Sequence, residues 1–128
     1  MTKTPRQDDI EIYIVNTSPE AIREWLQSCF DTVNLTISKQ SQAMKGELSL
    51  RGQSILFTLY PKAQGKNITG LWFQSSHTPW PTDLDCAKAA SKSLDTEVRC
   101  SKNNWKEGEE AETLWWSIKG DQEKLITW

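Results

Sequence analysis

From Ile10 the chain alternates: Ile10, Ile12 and Ile14 fall on one side, and Glu11, Tyr13 and Val15 on the other. A period of two predicts a β-strand. Ser18-Pro19-Glu20 then opens a helix, because a serine side chain can accept from orphan amides and proline fits the first helical position. Ala21, Ile22, Trp25, Leu26, Cys29 and Phe30 recur at helical spacing and form one apolar stripe. Val33, Leu35 and Ile37 alternate again, and after a polar link Leu48 and Leu50 lead into Gly52-Gln53. Ile55, Phe57 and Leu59 follow, and Gly52 as first central residue of the turn suits a type II′ hairpin. Pro61 to Asn67 reads as a loop.

The pattern then restarts. Ile68 to Gln74 is a strand apolar on both faces, followed by a loop from Ser75 to Pro81. Thr82-Asp83-Leu84-Asp85 is a capped helix start with acids at the positive end of the dipole, and Cys86, Ala89, Ala90 and Leu94 supply its stripe. Val98 and Cys100 alternate, an acidic loop runs from Lys106 to Glu112, and Leu114, Trp116 and Ile118 alternate again. Lys119-Gly120-Asp121-Gln122 turns the chain into Leu125 to Trp128.

The order is therefore βαβββ twice. Ser49-Leu50-Arg51-Gly52-Gln53 also matches Ser117-Ile118-Lys119-Gly120-Asp121. Repetition at this scale argues for duplication of one unit, over residues 10–60 and 68–128, against a chance alternation of helices and hairpins. The expected fold class is α+β, with two βαβββ units whose two helices pack on a mostly antiparallel eight-stranded sheet system. It forms a single domain over 10–128, after a polar tail at 1–9. The competing arrangement is one antiparallel sheet with both helices on one face.

Strand parity also locates a candidate site. The apolar faces must pack on the helices, so the opposite face carries Glu11, Tyr13, Asn34, Thr36, Thr58, Tyr60, Glu97, Arg99, Trp115, Ser117 and Thr127. Aromatic rings supply contact area and sparse polar groups orient a guest, so Glu11, Tyr13, Thr58, Tyr60, Arg99, Trp115 and Thr127 form the candidate ligand-binding set. A solvated sheet face or a dimer surface would show the same parity.

At 128 residues, with 37% hydrophobic and 25% charged, the chain has a globular composition. Its net charge of −2 favours neither nucleic acid nor membrane as a partner. The middle stretch from Thr36 to Trp80 is net basic, but its lysines and arginine fall mostly at turns, where a solvated rim is the default. No apolar run suggests a leader or a span, and Cys29, Cys86 and Cys100 lack CxxC spacing, so free thiols in the cytoplasm are expected. His77 is the single histidine, and neither a Gly-x-Ser-x-Gly elbow nor a Cys-His signature accompanies it; no catalytic residue is assigned. Trp80, between two prolines, either plugs the helix–sheet seam or meets a partner, and Glu109 and Glu110 offer an acidic finger to a basic partner.

Paired βαβββ modules of about this length resemble the glyoxalase and bleomycin-resistance superfamily, the vicinal oxygen chelate proteins. Element order and the Trp25-Leu26 and Gly120-to-Trp128 patterns carry the resemblance. It implies a divalent metal held by His, Glu or Gln near Glu11, Thr58 or Tyr60, Thr69 or Gly70, and Thr127. Only Glu11 of these is a good ligand, so the resemblance is to members that need no metal or other cofactor and sequester small molecules, often as homodimers. The expected function is a non-enzymatic protein binding a small molecule or a protein partner. An immunity-type inhibitor and an atypical glyoxalase-like enzyme are the alternatives.

Overall fold

The computed structural model describes residues 9–36, 43–61, 67–101 and 114–127. The first strand, β1 (Ile10–Val15), buries its three isoleucines completely. Helix α1 (Pro19–Cys29) starts where expected: Ser18 Oγ accepts the Ala21 N–H at 3.1 Å, and Pro19 occupies the first turn. Phe30 ends it with extended backbone dihedrals, which break the helical path. Three strands follow, β2 (Thr32–Leu35), β3 (Met44–Leu50) and β4 (Gln53–Tyr60). Then come β5 (Ile68–Phe73) and helix α2 (Asp83–Leu94), capped by Thr82 Oγ1 accepting the Asp85 N–H. Asp95 closes α2 in the left-handed conformation, and β6 (Val98–Ser101), β7 (Leu114–Lys119) and β8 (Gln122–Thr127) complete the order. The polar tail up to Asp8, Ile37, most of the Pro61–Asn67 loop and the acidic loop with Glu109 and Glu110 lie outside the described residues.

All eight strands join one antiparallel sheet in the order β2-β3-β4-β5-β1-β6-β7-β8. The fold is α+β, with two helices and one eight-stranded antiparallel sheet. Element order repeats, but placement does not: the trio after α1 reaches the sheet centre through its last strand, β4, and the trio after α2 through its first, β6. Alternating direction across the sheet makes β1 run parallel to β2, and β5 parallel to β6, so each helix is a crossover between like-directed strands. Right-handed crossovers running opposite ways put both helices on the same face. Ile22, Trp25 and Leu26 of α1 accordingly share one core with Cys86, Ala87 and Ala90 of α2. Among the described residues the other face of the sheet carries no helix.

Two details differ from the sequence expectation. The β3–β4 turn is not type II′ about Gly52-Gln53, because Leu50 pairs with Gln53 and the loop is Arg51-Gly52, both with positive φ (52° and 81°). That is the type I′ pattern, whose twist matches the flanking strands. The stripe of α2 also turns further than the alanine spacing suggested, burying Ala87 and Ser91, with Ala89 only partly covered. Ser91 is satisfied there: it donates to Thr96 O at 2.8 Å and accepts the Gly120 N–H at 2.9 Å, tying α2 to the β7–β8 hairpin.

Trp80 is 9% exposed and packs on Trp25, Phe30 and Phe73 at centroid distances of 5.3, 5.8 and 5.5 Å. The proline-flanked ring plugs the seam under α1; it is not displayed to a partner. No helix among the described residues is long and apolar enough to cross a membrane.

Candidate functional site

The helix-free face is organised in rows, because residues directly opposite in an antiparallel ladder project to the same side. One row runs unbroken across six strands: Tyr60, Gly70, Tyr13, Arg99, Ser117 and Lys124. Beside it runs a second row of Lys45, Thr58, Trp72 and Glu11, and Trp115 stands opposite Ser101 and Ile126. Gly70 separates the two tyrosine positions without a side chain of its own. Tyr13 and Trp115 meet edge to face, with centroids 5.5 Å apart and planes at 76°.

The polar groups are tied to one another. Tyr13 donates its hydroxyl hydrogen to Glu11 Oε1 at 2.9 Å, and Trp72 Nε1 donates to Asp9 Oδ2 at 2.8 Å. Glu97 accepts from Arg99 Nε at 2.9 Å and from the Ser117 hydroxyl. Arg99, and after it Ser117, hold the Glu97 carboxyl below its ordinary value against the opposing effect of burial. Burial pushes the Tyr13 phenol far above its usual range, and Glu11 adds to the shift, so Tyr13 remains a neutral donor. Where the β1–β6 ladder has ended, the Glu11 N–H goes to Asp83 Oδ1 at 2.9 Å, so the first turn of α2 holds this end of β1 in place.

Six of the seven expected ligand-binding residues come together here: Glu11, Tyr13, Thr58, Tyr60, Arg99 and Trp115. Their exposures differ. Tyr60 is 37% exposed, whereas Thr58 is only 2% exposed and forms part of the floor between Trp72 and Lys45. Thr127 lies opposite Leu114 in β8, and its side chain is outside the described residues. Sequence reasoning missed Trp72, because β5 is apolar on both faces and its parity could not be set alone. The signal was Leu71 and Phe73, whose burial sends Trp72 the other way. Asp9 was missed as tail, although it continues the Glu11/Tyr13 side of β1.

The residues implied as metal ligands do not fit a metal. Glu11 is the only carboxylate among them, Thr69 projects to the helix side opposite Ile14, and Gly70 offers no side chain. Among the described residues no group of three His, Cys, Asp or Glu could hold one. No step is derived through a metal.

No protein-family profile, curated protein or solved structure matches the chain.

Proposed function

We propose that this chain is a non-catalytic binding protein whose helix-free sheet face takes a small organic molecule with a cationic nitrogen. One observation carries the reading: two of the ring donors are directed at carboxylates of the same face, Trp72 to Asp9 and Tyr13 to Glu11, as are Arg99 and Ser117 to Glu97. Recognition then falls to ring faces and to the remaining carboxylate lone pairs. Aromatic quadrupoles attract a cation by about 0.5–2 kcal/mol per ring, more where water is excluded, and a carboxylate adds charge attraction. Tyr13, Tyr60, Trp72 and Trp115 would supply the rings, with Glu11 and Asp9 as counter-charges. On this reading any kinship with the glyoxalase and bleomycin-resistance proteins is with members that sequester ligands.

Tryptophan emission read during titration with tetramethylammonium, agmatine and, as anionic control, propionate tests the proposal. Saturable quenching by the two cations alone is expected, weakened by roughly tenfold in Glu11→Gln and in Tyr13→Leu. Equal responses to cations and propionate would remove the reading.

A further inference from the structure

Helix, hairpin and loop meet at a second place that shares no residue with the open face. Cys29 at the end of α1, Leu50, Arg51 and Gln53 of the β3–β4 hairpin, and Ser76, His77, Thr78 and Pro79 line a cleft of about 460 Å³. That volume is within the range of small-molecule sites, about 300–1,000 Å³. The loop wall is held firmly: Trp80 is buried in the core, and the Thr78 hydroxyl donates to Trp80 O at 2.9 Å.

Among the described residues the lining of the cleft contains Arg51 and the single histidine, His77, and no Asp or Glu. Asp31 of the turn network accepts the backbone N–H of Arg51 on Oδ2 at 2.9 Å. The Arg51 guanidinium forms no ion pair among the described residues. Arg51 also occupies the first left-handed position of a type I′ turn, where asparagine would sit more comfortably than arginine. The turn nonetheless places this residue, with its five-donor planar fork, in the cleft lining.

We infer that this cleft binds a small organic oxyanion, a carboxylate or phosphate, with Arg51 as the bidentate partner. His77 and the Gln53 amide supply further donors, and Cys29 lies in the wall. Arg is suited to this task because its parallel N–H groups match two oxygens of one anion.

The single imidazole makes a clean reporter. At fixed pH, its NMR signals are followed during titration with citrate and with inorganic phosphate, against sodium chloride at matched ionic strength. At least one oxyanion should shift the His77 signals saturably and slow alkylation of Cys29, and chloride should do neither. Arg51→Asn removes the guanidinium yet suits the turn, so it should fold and still bind at least roughly tenfold more weakly. Affinity unchanged in Arg51→Asn, His77 shifts equal in chloride, or Cys29 alkylation indifferent to the oxyanion would each overturn the assignment.

Discussion

Tyr13 and Trp115 meet edge to face at 5.5 Å across the middle of the sheet, although β1 and β7 are not neighbours. β6 lies between them, and the contact passes over its short Val98–Ser101 stretch. The pair therefore joins the first strand to the last hairpin on the side where, among the described residues, no helix does so. Aromatic pairs of this geometry contribute about 0.5–1.5 kcal/mol beyond area burial. A double-mutant cycle of Tyr13→Leu and Trp115→Leu, read by urea unfolding, should give a coupling of about 1 kcal/mol. Strictly additive losses would show that the rings only share a surface.

Gly46 is required by the ring that covers it. A Cβ there would lie 2.5 Å from Cε1 and Cζ of Phe57 and 2.8 Å from the Asn34 carbonyl oxygen. Phe57 is buried against Phe73, so its ring has little room to yield. Gly46→Ala should lower stability by about 2 kcal/mol or more, within the range for overpacked cores, as measured by thermal or urea denaturation. A neutral result would mean that the β2–β3–β4 end of the sheet repacks freely.

Acid should weaken the fold partly through Glu97. Its folded carboxyl titrates below the unfolded value of about 4.3, chiefly because Arg99 donates to it. A lowered folded value stabilises the native state above the unfolded value. That contribution is lost as pH falls from about 4.3 through the lower folded value. Glu97→Gln should flatten this part of the stability–pH curve, leaving less acid dependence than in the wild type. Parallel curves would place the acid sensitivity elsewhere.

The thiols should separate into two classes. Burial pushes Cys86 well up and Cys100 to about 12, while Cys29 is only partly buried at the end of α1. Native protein at neutral pH should alkylate at Cys29 first, with Cys86 and Cys100 reacting only as fast as the structure opens. The raised folded values also mean that stability falls once pH passes the unfolded thiol value of about 8.5, and keeps falling toward about 12. Mass-spectrometric counting of labelled cysteines against time checks the order, and rapid labelling of Cys100 would contradict it.

Trp25 carries a small defect that substitution should expose. The ring is 4% exposed, and its Nε1 finds no acceptor among the described residues. Leaving a buried donor unpaired costs about 1–3 kcal/mol. Trp25→Phe keeps an aromatic against Trp80 and removes that donor, so it should cost less than about 1 kcal/mol, whereas Trp25→Ala should cost about 3–5. Chemical denaturation of the two variants separates these outcomes.

Local order along the chain was readable because its causes are local. Alternation in Ile10–Val15, the Ser18-Pro19 and Thr82-Asp83 starts, and the parity that turns Tyr13, Tyr60 and Trp115 away from the helices all depend on neighbours a few residues apart. Strand parity survives any choice of partner strand, so the open-face residues of strands with one clearly apolar side were readable before the sheet was assembled, whereas Trp72 in the doubly apolar β5 was not. The meeting of Arg51 and His77 in one cleft was not readable, since it joins a turn to a loop across two other elements.

Only the tertiary structure decided the strand order, and with it which polar groups pair. Repeated βαβββ order is compatible with two equivalent modules, yet β4 and β6, not corresponding strands, flank the central β5–β1 pair. Ladder hydrogen bonds are alike between any two antiparallel strands, so pairing is selected by how the buried faces fit together. That selection sets Tyr13 between Gly70 and Arg99, and it sends Trp72 to Asp9, a contact no spacing along the chain could announce.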